Sequence, residues 1–431
     1  ALARNGLRVQ LIDRGPRLEE RGRHVVRFHR TRIPDPERNL LFGEGGAGTY
    51  SDGKIYTRVD DPLEVTLLEE LVACGAPEAI VYDSLAHIGT DRLHRVLPRL
   101  RSRLESLGVV LHFDTRLEGG VTDGVHGERT VRAVRTTQGE LGCCALVLSI
   151  GHSARDTWGA LAEQGVVFQA KPFQLGLRIE HPQELIDRGR YGGPQPLLGP
   201  ASYNLVCPAG KDRPGAHSFC MCPGGRIVAS VNEPGLLCTN GMSNSRHSSA
   251  WASAALVTTL GPREFGPGAF AGVAFQRELE RRFFEAGGAD YTAPAQTAAD
   301  FLAGRQSVDL RHTTFTCGTR PGRLDRLLPE GAGAAIARAL ERFDAQLPGV
   351  AGPAGTFVGL ESRSSGPVRM PRDEATRRAA GFANLYPVGE GAGYAGGIMS
   401  AALDGARSAL ALVAGGWPAA AGGPATMGDQ A

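Results

Sequence analysis

The stretch NLYPVGEGAGYAGGIMSAALDGARSALAL, residues 384–412, decides the fold. It reads as strand, glycine turn and helix. Leu385, Tyr386, Pro387 and Val388 form a short apolar run, residues 389–397 carry five glycines, and Ile398, Ala401, Ala402, Ala406, Ala409 and Leu412 recur at helical spacing. Such a turn offers bare backbone N–H groups at a helix N-terminus, where the partial positive charge favours an anion or the polar edge of a cofactor. Gly391, Gly393 and Gly396 satisfy G-x-G-x-x-G, a spacing that purely structural turns also show.

With 431 residues, 42% hydrophobic and 21% charged, the chain can bury a full core and is long enough for two domains. A net charge of +2 sets up no global field towards nucleic acid or an anionic membrane. The cations are nearly all arginine, the lysines being Lys54, Lys171 and Lys211. The Arg-rich opening (Arg4, Arg8, Arg14, Arg17, Arg21, Arg23) therefore reads as solvated surface rather than a polyanion site. No run approaches the ~18 apolar residues of a membrane span, and no signal-peptide pattern opens the chain, so a cytoplasmic protein without membrane span or nucleic-acid partner is expected. Eight cysteines over this length do not make a disulfide scaffold, and Cys220-x-Cys222 has no second pair at zinc spacing. Reduced cysteines and no metal are the expectation.

Taken from its start, ALARNGLRVQLIDRGP looks like a helix end closed by Gly6 and then a strand, residues 7–12, ending at Asp13 and Arg14. In a dinucleotide-binding fold this is the second half of the first β-α-β unit, whose terminal acid hydrogen-bonds a ribose hydroxyl. An ordinary helix-strand unit would look the same. On the first reading, the glycine motif of the preceding half is missing and the chain is N-terminally truncated. FGEGGAGTYSDGKIYT, residues 42–57, follows. Gly43, Gly45 and Gly48 again match G-x-G-x-x-G, but no helix pattern comes next, so it is not a nicotinamide fingerprint. A loop this bare, Gly46 included, lets backbone approach a flat ligand, with Ser51, Asp52 and Lys54 at the rim.

An amphipathic helix over 91–107, a strand over 109–113, short antiparallel strands over 115–142 and a buried strand over 144–150 lead to Gly151 and His152. A crossover made of strands fits an FAD-type domain better than an NAD-type one, whose crossovers are helices. Beyond residue 165 separate strands dominate, at 173–179, 203–207, 217–222, 226–231 and 356–360, interrupted by helices near 276–285 and 332–345. The expected organisation is α/β: an FAD-type Rossmann-like domain (1–165 and 351–415), an inserted mixed-sheet α+β substrate domain (166–350) and a disordered tail (416–431).

In this order, the motifs resemble the two-dinucleotide-binding-domain flavoproteins. More narrowly, the chain is similar to a biochemically poorly characterised family of FAD-dependent dehydrogenases. The resemblance rests on GEGGAGTYSDGKIYTR (43–58), IGHSARDT (150–157), LGLRIEHP (175–182), SFCMCPGG (218–225), NGMSNSR (240–246), ESRSSGPVRM (361–370) and YPVGEGAGYAGGIMSAALDGARSA (386–409), and spans essentially the whole chain. It implies a non-covalent FAD, with the ribose on Asp13 and the flavin end against the loops 43–54 and 389–398. That places Gly389, Glu390, Gly391, Gly396, Gly397 and Ile398 at the cofactor, Glu390 standing where related flavoproteins more often carry Asp.

Several residues keep two readings. His152 and Arg155 line the cofactor site, or else serve in helix capping or an Arg–carboxylate pair. Glu361 and Arg363 bind a polar substrate, or pair with each other, which is favoured. Cys220 and Cys222 share a strand face as pocket wall or core; a redox pair is disfavoured, because a C-x-C disulfide ring is strained. No Ser/His/Asp order or paired carboxylates favour hydrolysis. The leading expectation is an FAD-dependent oxidoreductase acting on a small molecule, with NAD(P)H as a diffusing reductant. A flavin-dependent tRNA-modifying enzyme and a flavin-binding scaffold or sensor are the rivals.

Overall fold

The computed structural model describes residues 1–124, 128–211 and 213–415, so the expected tail over 416–431 lies outside the described residues. The opening forms a 3-10 turn at Ala3–Asn5 capped by Gly6 at φ 77°, followed by the strand Gln10–Ile12. That strand pairs in parallel with Val110–His112, which the helix Thr90–Ser106 feeds. A second parallel pair joins Leu385–Pro387 to Leu146–Leu148, with Leu385 opposite Leu146. Between the two pairs in sequence lies an antiparallel sheet of Leu117–Asp123, Thr130–Thr136 and Gly139–Gly142. This is the Rossmann-like, FAD-type arrangement, with the strand-built crossover that the sequence predicts. The parallel strands lead into Asp13, Gly151 and Gly389, the strand ends where open α/β sheets bind ligands.

The middle of the chain builds a seven-stranded mixed sheet in the order Thr319–Pro321, Ala293–Thr297, Thr356–Glu361, Phe173–Pro182, Trp251–Leu260, Ala216–Cys222, Val206–Cys207. Its central strand shows why the sheet has two characters. Phe173, Leu175, Leu177 and Ile179 alternate onto one face and join the main apolar core with Phe283, Ile336, Leu340 and Phe343 from the helices Ala271–Ala286 and Glu330–Gln346. Gln174, Arg178 and Glu180 take the other face, and the last two are fully buried.

The expected strand set of this region needs correction. The strands Trp251–Leu260, Ala293–Thr297 and Thr239–Met242 have no counterpart among those expected, because WASAALVTTL is alanine-rich and APAQT and TNGM lack β-branched alternation. The sheet also reaches past residue 350. Thr356–Glu361 pairs with both Phe173–Pro182 and Ala293–Thr297, so the sheet runs on to Glu361.

Candidate functional site

The two parallel pairs, both glycine loops and the polar face of the seven-stranded sheet enclose a cavity of about 2830 Å³. An ordinary small-molecule pocket holds roughly 300–1,000 Å³. There is room for an extended dinucleotide and a second molecule beside it.

Asp13 ends the first strand on the cavity wall. Its Oδ1 accepts from the backbone N–H groups of Gly15 and Gly43, each at 2.9 Å. One oxygen thus ties the strand end to the first glycine loop, and burial raises its pKa against the pull of these N–H groups and of Arg21. A Cβ on Gly15 would sit 2.4 Å from the Gly43 nitrogen, so this approach needs glycine. Arg14 also lines the cavity, but its guanidinium is shared between Glu37 and Asp156 and lies 4.2 Å over the Phe42 ring. Arg21 departs from the solvated surface expected for the Arg-rich opening. It is fully buried and donates to the carbonyls of Leu40 at 2.8 Å and Gly46 at 3.0 Å and to Thr49 Oγ1 at 3.0 Å, bracing the glycine loop from behind. Its position one helical turn into Leu18–Thr31 aims it inward, and composition carries no sign of that.

The first glycine loop reaches both the closing helix and the middle sheet. Gly45 and Gly46 have positive φ, and a Cβ on Gly48 would lie 3.2 Å from Ile398 Cδ1. Ser51 Oγ donates to the Gly48 carbonyl at 2.7 Å and accepts from Gly53 at 3.0 Å. Asp52 is buried between Ser243 and Lys54. Lys54 Nζ donates onward to the Met221 carbonyl at 2.6 Å. Burial opposes its charge, but Cys220, Cys222 and Asp52 together hold it protonated. The ligand atoms of Asp52, His87 and His247 lie within 4.8 Å of one another, with Asp52 already ion-paired to Lys54.

Opposite stand Gly151, His152 and the turn after Leu385–Pro387. A Cβ on Gly391 would fall 2.5 Å from the Gly151 carbonyl oxygen, so these backbones touch, and Trp158 Nε1 donates to the Gly391 carbonyl at 3.1 Å. His152 Nε2 lies 3.4 Å from Glu390 Oε2. Burial, then Arg363 and Arg155, push the His152 imidazole down to about 3, so it is neutral; burial raises the Glu390 carboxyl, which Lys171 opposes. The Gly389 N–H donates to Asp404 Oδ2 at 2.8 Å, and Asp404 is ion-paired with Arg372 and Arg377. This salt-bridged carboxylate on the closing helix Ile398–Ala414 fixes the turn. Gly46, Gly396 and Gly397 line the cavity with open space where a Cβ would stand. Bare backbone at the N-terminus of a long helix, across from a second glycine loop, fits the phosphate and flavin parts of FAD.

Two of the pairings differ from the sequence expectation. Glu361 meets Arg178 at 3.5 Å, while Arg363 and Arg155 both clamp Glu280 of Ala271–Ala286. Expected pairing between Glu361 and Arg363 fails because the strand ends at Glu361, and Arg363 beyond it reaches Glu280 and Asn232 instead. Arg155 therefore takes the carboxylate alternative and leaves the cavity wall to His152. Glu280, Arg178 and Asp404 were not singled out by the sequence, since each partner lies far away in the chain.

The fold is of the flavoprotein type, with parallel strand ends and two glycine loops on one cavity. A family model described as "FAD-dependent protein, C-terminal domain-like" matches residues 172–364. An uncharacterised protein of Clostridium beijerinckii is 40% identical over 417 residues, covering 96% of this chain and 77% of its own length. The chain belongs to the family of that protein, and its residues 172–364 match the FAD-dependent C-terminal domain model. Among solved structures, iminodiacetate oxidase from Chelativorans sp. BNC1 gives a TM-score of 0.35 at 13% identity, over 96% of this chain and 91% of the other. Glycine oxidase from Bacillus cereus gives 0.33 at 10%, over 96% and 92%. An oxidoreductase from Methanosarcina mazei gives 0.32 at 11%; the chain covers 59% of that protein's length, and 82% of this chain is matched. The assignment rests on the 40% relative and the domain match. Among the described residues no helix is long and apolar enough to cross a membrane.

Proposed function

We propose that the protein is an FAD-dependent oxidoreductase acting on a small molecule. The observation that carries this reading is the meeting of two glycine loops, Gly48 against Ile398, over a cavity that also opens onto the middle sheet. Bound there, FAD would supply hydride or electron transfer, the chemistry that side chains lack. The chain's own residues bind and orient. Asp13 presents its remaining carboxylate oxygen to a ribose, the N-terminal N–H groups of Ile398–Ala414 face the polar rim of the cofactor, and the backbone of Gly46, Gly396 and Gly397 lets it lie close. His152, neutral against Glu390, and Lys171 stand on the wall between cofactor and substrate space. We assign residues 1–165 and 362–415 to the cofactor and 166–361 to the substrate, the boundary being moved to where the seven-stranded sheet ends.

The test is anaerobic. The protein loaded with FAD is mixed with NADH, NADPH and panels of small amines and hydroxy acids, and bleaching of the flavin absorbance is followed. Bleaching by at least one donor, with reoxidation by air or a dye, supports the reading. Tight flavin that no donor reduces faster than free FAD would leave a binding scaffold instead.

A further inference from the structure

The strand Ala216–Cys222 breaks its own register at SFCMC. Phe219 pairs with Ala255 and Cys222 with Ser253, so three steps on one strand face two on the other. Cys220 takes up the extra residue at φ 42°, a left-handed conformation uncommon for a side chain other than glycine. Two cations hold the kink through its carbonyls. Arg178 Nη2 donates to the Cys220 oxygen at 2.8 Å, and Lys54 Nζ to the Met221 oxygen. Strain held by two cations at a cavity wall is a pattern that clusters at functional sites.

The kink gives the two thiols different surroundings. Cys220 lines the cavity, while Cys222 is fully buried behind it. The Cys222 thiol donates to the Cys220 carbonyl at 3.3 Å, and Arg178 Nη2 donates to Cys222 Sγ at 3.4 Å. In a regular strand, residues i and i+2 have Cα atoms ~6.6 Å apart at ~3.3 Å per residue, the outer end of the ~4.4–6.8 Å that a disulfide spans. The left-handed φ at Cys220 turns its side chain out of the regular strand direction, so the two thiols are not held on one flat face. Arg58, Lys171 and Arg190 add positive charge to the cavity wall.

We propose that Cys220 and Cys222 form a thiol pair that exchanges with a small anionic disulfide entering the cavity, Cys220 attacking and Cys222 resolving. The neighbouring Cys222 side chain, with Lys54 and Arg178 nearby, lowers the pKa of the Cys220 thiol against burial, while that of Cys222 is raised. Cys220 Sγ attacks one sulfur of R–S–S–R′, that S–S bond breaks, and R′S⁻ leaves and is protonated from solvent. Cys222 then gives up its proton as its sulfur attacks Cys220 Sγ, and R–S–H departs. The disulfide gains two electrons and two protons, and the pair becomes Cys220–Cys222. Return to the dithiol takes two electrons and two protons, from a small dithiol or from the reduced cofactor of the same cavity.

The probe is glutathione disulfide, added to the full chain as purified with its cofactor, and peptide mass is the readout. In wild type the peptide carrying both cysteines should lose two hydrogens and keep no glutathione, and dithiothreitol should restore it. In Cys222→Ser, checked for folding by circular dichroism and backed by Cys222→Ala, glutathione should stay on Cys220. It should arrive about tenfold faster than on the exposed Cys144. An unmodified Cys220 beside a glutathionylated Cys144 would overturn the proposal. So would wild type that retains glutathione on Cys220 while Cys222 stays a thiol. The readout needs no flavin reduction, so failure here and failure of the oxidoreductase reading are distinct results.

Discussion

Glu280 accepts from Arg155 at 2.9 and 3.0 Å, from Arg363 at 3.0 and 2.8 Å and from Ser362 at 2.7 Å, all in full burial. Its partners come from the helix Arg155–Glu163 and from the end of the sheet, so one carboxylate joins three parts of the chain. Burial opposes its charge, but Arg155 and then Arg363 hold its pKa far below the ordinary 4.5. Glu280→Gln leaves two buried guanidiniums short of charge and should cost about 3–5 kcal/mol in urea unfolding at neutral pH. Because the folded pKa is depressed, this contribution is fully present above the ordinary carboxylate range and is lost as pH falls through the folded value. The gap between wild type and Glu280→Gln should therefore narrow steadily below pH 4.5. A gap that stays constant into acid would mean the carboxylate titrates normally. Sequence carried none of this: Glu280 is one acid among many on an amphipathic helix, and its partners lie more than eighty residues away in both directions.

At the scale of elements, the glycine turn was legible and the roles of its glycines were not. Strand, turn and helix over 384–412 came from spacing alone, and the structure has Leu385–Pro387 and Ile398–Ala414 in those places. Which glycine is for the fold and which for a ligand depends on what stands opposite. A side chain at Gly391 meets the Gly151 backbone, whereas at Gly396 it meets only cavity, and neither glycine has a positive φ. Gly391→Val should thus lower Tm, costing at least about 1–3 kcal/mol through overpacking. Gly396→Val should keep the wild-type Tm and lose FAD binding, read by flavin fluorescence in a titration. Equal behaviour of the two variants would remove the cofactor role from this turn. Strand legibility followed side-chain shape: FQLGLRIEHP alternates and was visible, and WASAALVTTL, its neighbour in the sheet, hid behind alanines that pack well only because helices cover them.

For the whole molecule, the cavity wall draws on both ends of the sequence and on the middle sheet, so a ligand there bridges the parts. A ligand that binds only the folded state at ~100-fold its Kd adds about 2.7 kcal/mol. FAD at that excess should raise Tm by a few degrees in wild type and leave Gly396→Val unmoved, as scanning calorimetry would show. No shift in wild type would contradict a cofactor held by the fold. The fold class was legible because the order of motifs survives insertion; the return of Thr356–Glu361 to a sheet begun at Phe173 was not, since only long-range pairing says so.

The seven-stranded sheet also ends well. One margin is Val206–Cys207, two residues long, and the other is Thr319–Pro321, which closes on a proline with no N–H to donate and carries Arg320. Open margins of a sheet are templates on which neighbouring molecules add strands and grow into aggregates, and brevity, charge and proline are what deny them that template. The broadest sheet in the molecule is thereby guarded against fibre-like self-association at the concentrations at which proteins crowd together.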